Sequence, residues 1–599
     1  MSRGTAHWLL ALALGVAGCS RNGPPGPPAP QADSPGLFRD VTDASGLSFT
    51  YRNGEDADRY SILEVMGGGC AVLDFDRDGR LDLFFPGGGF FDGPDKKQIK
   101  GHPPKLYRNL GEFRFADVTA AASLTALADG QPWFYSHGAA ACDYDRDGWP
   151  DLLMTGYGRH ALFHNEPDGK DGRRFREVTR AAGLLGSHFW GTSAAWGDLD
   201  GDGHPDLYIC HYLDWSNEND PRCAGYRINI PRDVCPPKVF GSRPHALYRN
   251  RGDGTFEDIT RAAGIRADRP DKSYGKGLGC LILDLNGDRK PDLYVCNDGE
   301  PNFLYLNRSE PGRLRFEEQG KELGVAVDAG GMANGSMGVD AADFDGSGLP
   351  SVWVTNYENE FHALYRRVGR GAFFNHVTAQ HGLAAIGPSF VGFGTAFVDV
   401  DRDGWEDIAI ANGHVIRHHP KDHIRQLPIL FLNRERDGRR HFENAPTEGG
   451  PYFREPHLGR GLAVADLDDD GRPDLVFCHT NEPVRLLRNE SSADRHWFGV
   501  ELAGRDRRDV TGGEVDARPR RPQAGPLPGG RTELPHQQRP APTVRAGCGR
   551  GRRPADRGVA DWQPAGRVLG RPGHGPVSPA RTGDGAGAAA VTRPTVSVR

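Results

Sequence analysis

Residues 74–82 read Asp74-Phe75-Asp76-Arg77-Asp78-Gly79-Arg80-Leu81-Asp82, an acidic loop of the form Asp-x-Asp-x-Asp-Gly-x-x-Asp. The pattern occurs seven times, in copies that start at Asp74, Asp143, Asp198, Asp284, Asp343, Asp399 and Asp466. The fourth copy has Asn286 at position three, and the fifth has Ser347 and Ser351 at positions five and nine. Neighbouring copies start 55 to 86 residues apart. Internal repetition on this scale is typical of propellers and solenoids.

The segments around each loop repeat as well. A small or apolar run precedes the loop, as at 68–73, and an alternating run follows it, as at 207–210. A third run ends in asparagine, as in Leu247-Tyr248-Arg249-Asn250, and a fourth follows a turn, as at 256–260. Short apolar runs between glycine-rich turns predict four β-strands per unit. We therefore predict an all-β fold, a seven-bladed β-propeller over residues 37–490. A solenoid is the alternative, disfavoured by the irregular repeat length and the four strands per unit.

The segment 38–42 precedes the first loop and resembles the fourth run of a unit. The last unit lacks such a run of its own, so we predict that residues 38–42 complete the last blade. Pairing of the chain's beginning with its end would close the ring and remove exposed strand edges.

Carboxylates at alternate positions of a tight loop suit Ca²⁺, which takes six to eight oxygen ligands, whereas Mg²⁺ prefers to keep its waters. Position seven would add a backbone carbonyl oxygen. A helix–loop–helix calcium site would need Glu at position twelve, where the first copy has Phe85. A solvated turn would explain one such loop, but not seven with the same spacing. We predict about six calcium sites, with the fifth loop weak or empty.

The predicted ligands, grouped by loop, are Asp74, Asp76, Asp78, Arg80 and Asp82; Asp143, Asp145, Asp147, Trp149 and Asp151; Asp198, Asp200, Asp202, His204 and Asp206; Asp284, Asn286, Asp288, Lys290 and Asp292; Asp343 and Asp345; Asp399, Asp401, Asp403, Trp405 and Asp407; Asp466, Asp468, Asp470, Arg472 and Asp474.

These repeats resemble the FG-GAP and VCBS repeats, and more specifically the ASPIC/UnbV (cartilage acidic protein-like) family, which includes many secreted bacterial proteins. The resemblance covers residues 37 to about 511. It implies a seven-bladed propeller with calcium loops, followed by a small C-terminal β domain whose opening resembles residues 497–504. We assign 491–511 to the start of that domain. The resemblance does not imply an enzyme.

The N-terminus predicts export. A short apolar run, 8–14, precedes Val16-Ala17-Gly18-Cys19, which is similar to a bacterial lipobox. We predict a lipoprotein signal peptide at 1–19, lipidation of Cys19 and a Pro/Gly-rich linker at 20–36. The expected location is the outer membrane, the periplasm or the cell surface. An ordinary signal peptide with an incidental cysteine is the alternative.

The segment 512–599 departs from the family pattern. It carries fifteen Arg against six acidic residues, a net charge of +9, which leaves −16 on the rest of a chain whose total is −7. It lacks Lys, Ile, Phe, Tyr, Asn and Met, so we predict that it buries no core and is disordered. A basic tail for nucleic acid or anionic lipid is one interpretation. We favour the product of a frameshift, since shifted codons at 532–538 and 555–563 permit family-like peptides.

The acidic body argues against a nucleic-acid partner. We predict a monomeric binding, adhesion or scaffolding module for an extracellular protein or polysaccharide, with lipid as its only contact with the membrane. The alternative function is an enzyme at the central channel, with His137, His188, Trp190, Tyr274 and His457 as candidate residues, although no nucleophile–base pair is evident.

Cys223 and Cys235 lie in a long insertion, where a disulfide is plausible, and Cys210 is a competing partner.

Overall fold

The computed structural model describes residues 36–170, 172–186, 189–265, 273–369 and 371–492, together with four strands nearer the C-terminus. The described residues between 36 and 492 form seven four-stranded antiparallel sheets, arranged as a seven-bladed β-propeller. The predicted fold class is therefore confirmed.

The seven blades have the same strand order. In chain order their strands are Ala71–Leu73, Asp82–Phe85, Lys105–Asn109 and Phe115–Asp117; Ser136–Cys142, Asp151–Gly156, His160–Pro167 and Arg173–Glu177; Gly191–Gly197, Asp206–His211, Ala246–Asn250 and Phe256–Asp258; Gly277–Leu283, Asp292–Asn297, Phe303–Asn307 and Phe316–Glu318; Val339–Ala342, Ser351–Val354, Ala363–Val368 and Phe373–His376; Gly392–Val398, Asp407–Asn412, Ile429–Arg436 and Arg439–Asn444; Gly459–Ala465, Asp474–His479, Arg485–Asn489 and Phe38–Asp40.

The last blade takes its fourth strand from the start of the chain. Phe38 pairs with Asn489, and Asp40 pairs with Leu487. The prediction that residues 38–42 complete the ring is confirmed for the strand Phe38–Asp40.

The second strand of each blade is buried on both faces, as in Asp206–His211. The sequence analysis treated these strands as alternating, and that interpretation was wrong. Each blade packs between two neighbours, so both faces of its second strand meet apolar side chains. One such cluster joins Leu153 of blade 2 to Ile209 and Tyr248 of blade 3. Burial of apolar surface between blades is the main term that holds the ring together.

Helical structure is confined to short segments: the α-helices Thr42–Ser45 and Pro446–Gly449, and the 3₁₀ turns Glu55–Ala57, Ile62–Val65, Asn217–Asn219, Pro237–Val239, Ala379–His381, Leu383–Ile386 and Pro451–Arg454. Within the described ranges, no helix combines the length and the apolar character needed to cross a bilayer. An added hairpin, Gly89–Asp92 with Gln98–Gly101, extends from blade 1.

A small sheet follows the propeller in sequence. Its central strand, Trp497–Ala503, pairs with Ala541–Thr543, Val568–Leu569 and Thr595–Ser597. Three short strands therefore come from the segment 512–599. The remainder of that segment, the predicted signal peptide with Cys19 and the predicted linker up to residue 35 lie outside the described residues.

Candidate calcium-binding loops

The acidic loops all join the first strand of a blade to its second strand, and so lie at one end of the ring. The loop backbone is left-handed at position six, where Gly79 has φ 86° and Gly404 has φ 89°. In the fourth loop Arg289 takes this place with φ 69°. A side chain other than glycine is strained there, so this loop departs from the pattern at position six as well as at position three.

The left-handed turns bring the carboxylates of a loop together. Side-chain oxygens of Asp74, Asp76 and Asp78 lie within 4.8 Å of one another, and a similar group forms in the third loop. Position one also accepts backbone hydrogen bonds, as where Asp399 Oδ1 and Oδ2 accept the N–H groups of Asp403 and Gly404, both at 2.9 Å. The loop backbone therefore holds part of the ligand set in place without a metal.

Buried oxygen atoms without a partner indicate where a cation would fit. Among the described residues, Asp76 Oδ1 and Asp468 Oδ1 are buried and have no hydrogen-bond partner. Both belong to position three of their loops. Converging carboxylate oxygens are the donor set that Ca²⁺ requires, and an unpaired buried oxygen costs free energy unless something binds it. The residues present therefore fit a calcium ion.

Burial raises the pKa of several loop carboxyls. The pKa of position nine rises to about 7 in Asp82 and about 8 in Asp292 and Asp474, because these groups are withdrawn from water. The same cause raises the pKa of Asp399 to about 7. A bound cation would offset this cost of burying charge.

Position nine also has a structural role, which the sequence analysis missed. Asp407 Oδ2 accepts the N–H of Val400 at 3.0 Å, and its Oδ1 accepts the N–H of Asn433 at 2.7 Å. The Nδ2 of Asn433 then donates to the carbonyl of Glu406 at 3.0 Å and to that of Phe344, in the preceding blade, at 2.9 Å. The aspartate thus orients an asparagine that connects two blades.

We call this arrangement the Asp–Asn clasp, and it recurs in six blades. The inter-blade bonds run from Asn109, Asn165, Asn250, Asn307, Asn433 and Asn489 to the carbonyls of Leu467, Phe75, Tyr144, Leu199, Phe344 and Val400, at 2.8 to 2.9 Å. The sequence shows the asparagine, which ends the third run of most units, but not its partner in the preceding blade.

The fifth blade replaces the whole clasp. Ser351 stands at position nine, and Arg367 stands at the asparagine position. The Arg367 guanidinium donates to the carbonyl of Asn286 in blade 4, so it also connects two blades, but to position three of the preceding loop and not to position two. Ser347 donates to Asp343 Oδ1 at 3.1 Å. These hydrogen bonds stabilise the fifth loop, which has only two carboxylates.

Those candidate channel residues that the structure describes are buried or half-buried side chains. His137 is buried; its Nε2 accepts the indole N–H of Trp190 at 2.8 Å, and its Nδ1 lies 3.3 Å from the hydroxyl of Tyr51. His457 stacks on Tyr452 with 4.7 Å between ring centroids. Tyr274 is half-buried, and His188 lies outside the described residues.

A further cluster of ionisable groups, Glu358, His414 and His419, lies on connections at the other end of the blades. His414 Nε2 and His419 Nε2 approach the Glu358 carboxylate at 3.4 and 3.0 Å. Each Nδ1 accepts backbone N–H groups, which leaves the ring proton on Nε2. A metal ligated through Nε2 needs the opposite tautomer. The pair therefore serves to hold a carboxylate.

The long insertion of blade 3 reaches across that same end. The structure joins Cys223 to Cys235 in a disulfide, and Cys210 is a buried free thiol. Asp233, also buried, accepts the N–H groups of Arg417 and His418, both at 2.9 Å. These bonds fasten the insertion to the connection of blade 6.

Comparisons with known proteins agree with this architecture. A family model described as FG-GAP-like repeat matches residues 74–154, 143–209 and 284–354. The chain is 26% identical over 397 residues to human cartilage acidic protein 1, and 25% identical over 399 residues to the mouse protein. These alignments cover 58% of this chain and 56% and 57% of the relatives, so the match spans little more than half the length of those proteins.

A structure of an Agrocybe aegerita lectin that recognises non-reducing terminal N-acetylglucosamine is 17% identical, with a TM-score of 0.38 over 62% of this chain and 78% of that chain. The resemblance inferred from the blades is confirmed by the first two comparisons. The chain carries FG-GAP-like repeats at 74–209 and 284–354 and is homologous to cartilage acidic protein 1.

Proposed function

We propose that the protein is an exported, calcium-binding propeller that acts as a binding, adhesion or scaffolding module. FG-GAP-like repeats on a propeller suggest a binding or adhesion module. Homology to cartilage acidic protein 1 supports a non-enzymatic role in the same way. Calcium, export and the partner class are the parts that this proposal adds.

One observation carries the calcium proposal. Carboxylate oxygens converge in the loops, and Asp76 Oδ1 and Asp468 Oδ1 are buried there without a hydrogen-bond partner. When bound, Ca²⁺ would supply positive charge to these oxygens. Aspartates at positions one, three, five and nine would hold it, together with the backbone carbonyl at position seven. The loops would then be rigid supports for the blades.

The partner would bind at the end of the ring opposite the acidic loops. Large apolar side chains are exposed there: Ile228 is 89% exposed and Tyr226 46% on the disulfide-closed insertion, and Met332 is 66% exposed on the connection from blade 4 to blade 5. Apolar groups surrounded by polar ones mark surfaces that meet other molecules. We propose an extracellular protein or polysaccharide as the partner class.

Export and anchoring rest on the sequence. We propose that residues 1–19 direct export and that lipidated Cys19 holds the protein at the outer membrane, in the periplasm or on the cell surface. We also propose that the basic segment 512–599 arises from a frameshift. Sequencing of the gene tests this last point, because early stop codons in the shifted frame would contradict it.

Metal analysis tests the central proposal. The protein is dialysed against a calcium buffer, separated from unbound ions, and analysed for calcium and magnesium by mass spectrometry. We expect about six calcium ions per chain, by counting the loops with complete ligand sets. A stoichiometry near zero in a folded sample, or selective retention of magnesium, would contradict the proposal.

A further inference from the structure

In five blades an arginine on the third strand contacts the carboxylate at position three of the loop. It stands one residue before the asparagine of the clasp in blades 1, 3 and 7, one residue before the replacement Arg367 in blade 5, and one residue after Asn433 in blade 6. The ion pairs are Arg108 to Asp76 at 2.6 Å, Arg249 to Asp200 at 2.9 Å, Arg366 to Asp345 at 2.5 Å, Arg434 to Asp401 at 2.7 Å and Arg488 to Asp468 at 2.9 Å. In blade 2 the place is taken by His164, whose Nδ1 lies 3.3 Å from Asp145 Oδ2.

The guanidinium uses the same carboxylate oxygen each time. All five contacts are made to Oδ2. In the loops of Asp76 and Asp468, the other oxygen, Oδ1, is the buried atom without a hydrogen-bond partner. In these two loops the arginine occupies one oxygen of the carboxylate and leaves the other for a cation. In loops 3, 5 and 6 the Oδ1 of position three accepts the backbone N–H of position five, at 3.0 to 3.2 Å.

Blade 4 departs from this arrangement. Position three of its loop is the neutral Asn286. Its arginine, Arg308, follows Asn307 as Arg434 follows Asn433, and the guanidinium lies 3.9 Å from the position-five carboxylate of Asp288. The ion pair to position three is therefore replaced where position three carries no charge.

We propose that the third-strand arginine is a built-in counter-ion that lowers the calcium affinity of its loop and stabilises the loop when no metal is bound. This inference rests on the proposed calcium binding. An arginine beside the carboxylates repels a bound divalent ion; at roughly 6 Å in a water-like dielectric the repulsion changes a dissociation constant about tenfold. In the metal-free loop the same charge offsets repulsion among the carboxylates.

Loop 6 offers a direct measurement, because Trp405 stands at its position seven and can sensitise the luminescence of a bound Tb³⁺ ion. Trp149 holds the same position in loop 2, so the parent protein carries Trp149→Phe to silence that reporter. Displacement of Tb³⁺ by Ca²⁺ then gives the calcium constant of loop 6. Arg434→Met is the test variant. Arg436→Met, on the same strand but exposed, is the matched control for loss of one positive charge.

We expect Arg434→Met to tighten calcium binding about tenfold and to lower the melting temperature in chelator. Arg436→Met should change neither quantity, and Arg434→Lys, which keeps the charge, should bind calcium like the parent. Weaker or unchanged calcium binding in Arg434→Met would overturn the counter-ion role. Absence of any Trp405-sensitised Tb³⁺ signal in the parent would instead overturn calcium binding by this loop, and the counter-ion role with it.

Blade 3 supports a second test. His204→Trp places a reporter at position seven of loop 3, in a parent that carries Trp149→Phe and Trp405→Phe, and Arg249→Met then removes the arginine that contacts Asp200. We expect calcium binding by loop 3 to tighten about tenfold. An unchanged constant would contradict the proposal even if Arg434→Met failed to fold.

Discussion

The side chain of Asn489 in blade 7 donates a hydrogen bond to the backbone carbonyl of Val400 in blade 6 at 2.9 Å. The backbone N–H of Asn489 donates to Asp474 Oδ1 at 2.9 Å. The aspartate at position nine of the acidic loop therefore helps to connect neighbouring blades, in addition to its proposed role as a calcium ligand.

Loss of one clasp should destabilise the ring. Asn433→Ala would leave the buried carbonyls of Phe344 and Glu406 without their side-chain donor. Unsatisfied buried polar groups cost about 1 to 3 kcal/mol each, so for these two carbonyls we expect a loss of about 2 to 6 kcal/mol in chemical denaturation. Asn444→Ala, exposed in the same blade, is the control. Equal stability of the two variants would show that the clasp does not stabilise the blades.

Chelation of calcium should lower the melting temperature. Ions that bind only the folded ring stabilise it by mass action, by about 1.4 kcal/mol per loop at a tenfold excess over the dissociation constant. Differential scanning calorimetry with calcium, and then with chelator after metal removal is verified, measures the effect. Superimposable melts would rule out a structural role for calcium.

Substitutions in complete and incomplete loops should differ. Asp401 belongs to a loop with four carboxylates, whereas Asp345 belongs to the loop with only two. We expect Asp401→Ala to reduce the calcium-dependent part of the stability, and Asp345→Ala to leave it nearly unchanged. The readout is the difference in melting temperature between calcium and chelator for each variant. Equal losses would mean that the fifth loop binds calcium as the others do.

The buried carboxyl of Asp298 should make stability fall as pH rises. Burial raises its pKa to about 6, and the hydroxyl of Tyr212 donates to it. Because the folded state holds this proton more tightly than the unfolded chain, the stability from this group is complete below about pH 4 and is lost up to about pH 6. Asp298→Asn keeps an acceptor for Tyr212, and we expect it to be the more stable protein above pH 6. Parallel stability–pH curves for the two proteins would contradict this.

Replacement of Cys19 by Ala should release the protein from membranes. Lipid attached to Cys19 would be the membrane anchor. One acyl chain gives only marginal membrane binding, so stable anchoring needs more than one lipid chain on this cysteine. Fractionation of cells that express the variant measures the effect. Unchanged membrane association would rule out Cys19 as the anchor.

The repeats made the fold predictable, because seven similar units allow few architectures. The loop residues were also evident from spacing, as was the strand Phe38–Asp40 in the last blade. The clasp was not, because asparagine at a strand end gives no sign that its partner lies in another blade. The pairing of Arg434 with Asp401 spans 33 residues, and only the structure shows that these two side chains meet. Both faces of the strand Asp206–His211 are buried because a blade packs on each side of it. The residue pattern of a single strand does not show that these neighbours exist.

The pairing of Phe38–Asp40 with the strand Arg485–Asn489 also sets the order in which the protein can mature. The strand Phe38–Asp40 is synthesised early but cannot pair until residues 485–489 have followed it. Until then it stays unpaired, whereas blades 1 to 6 each contain all four of their own strands. A chain cut before residue 485 should not close its ring, whereas one cut after residue 492 should. The ring therefore cannot close before the last blade has been synthesised.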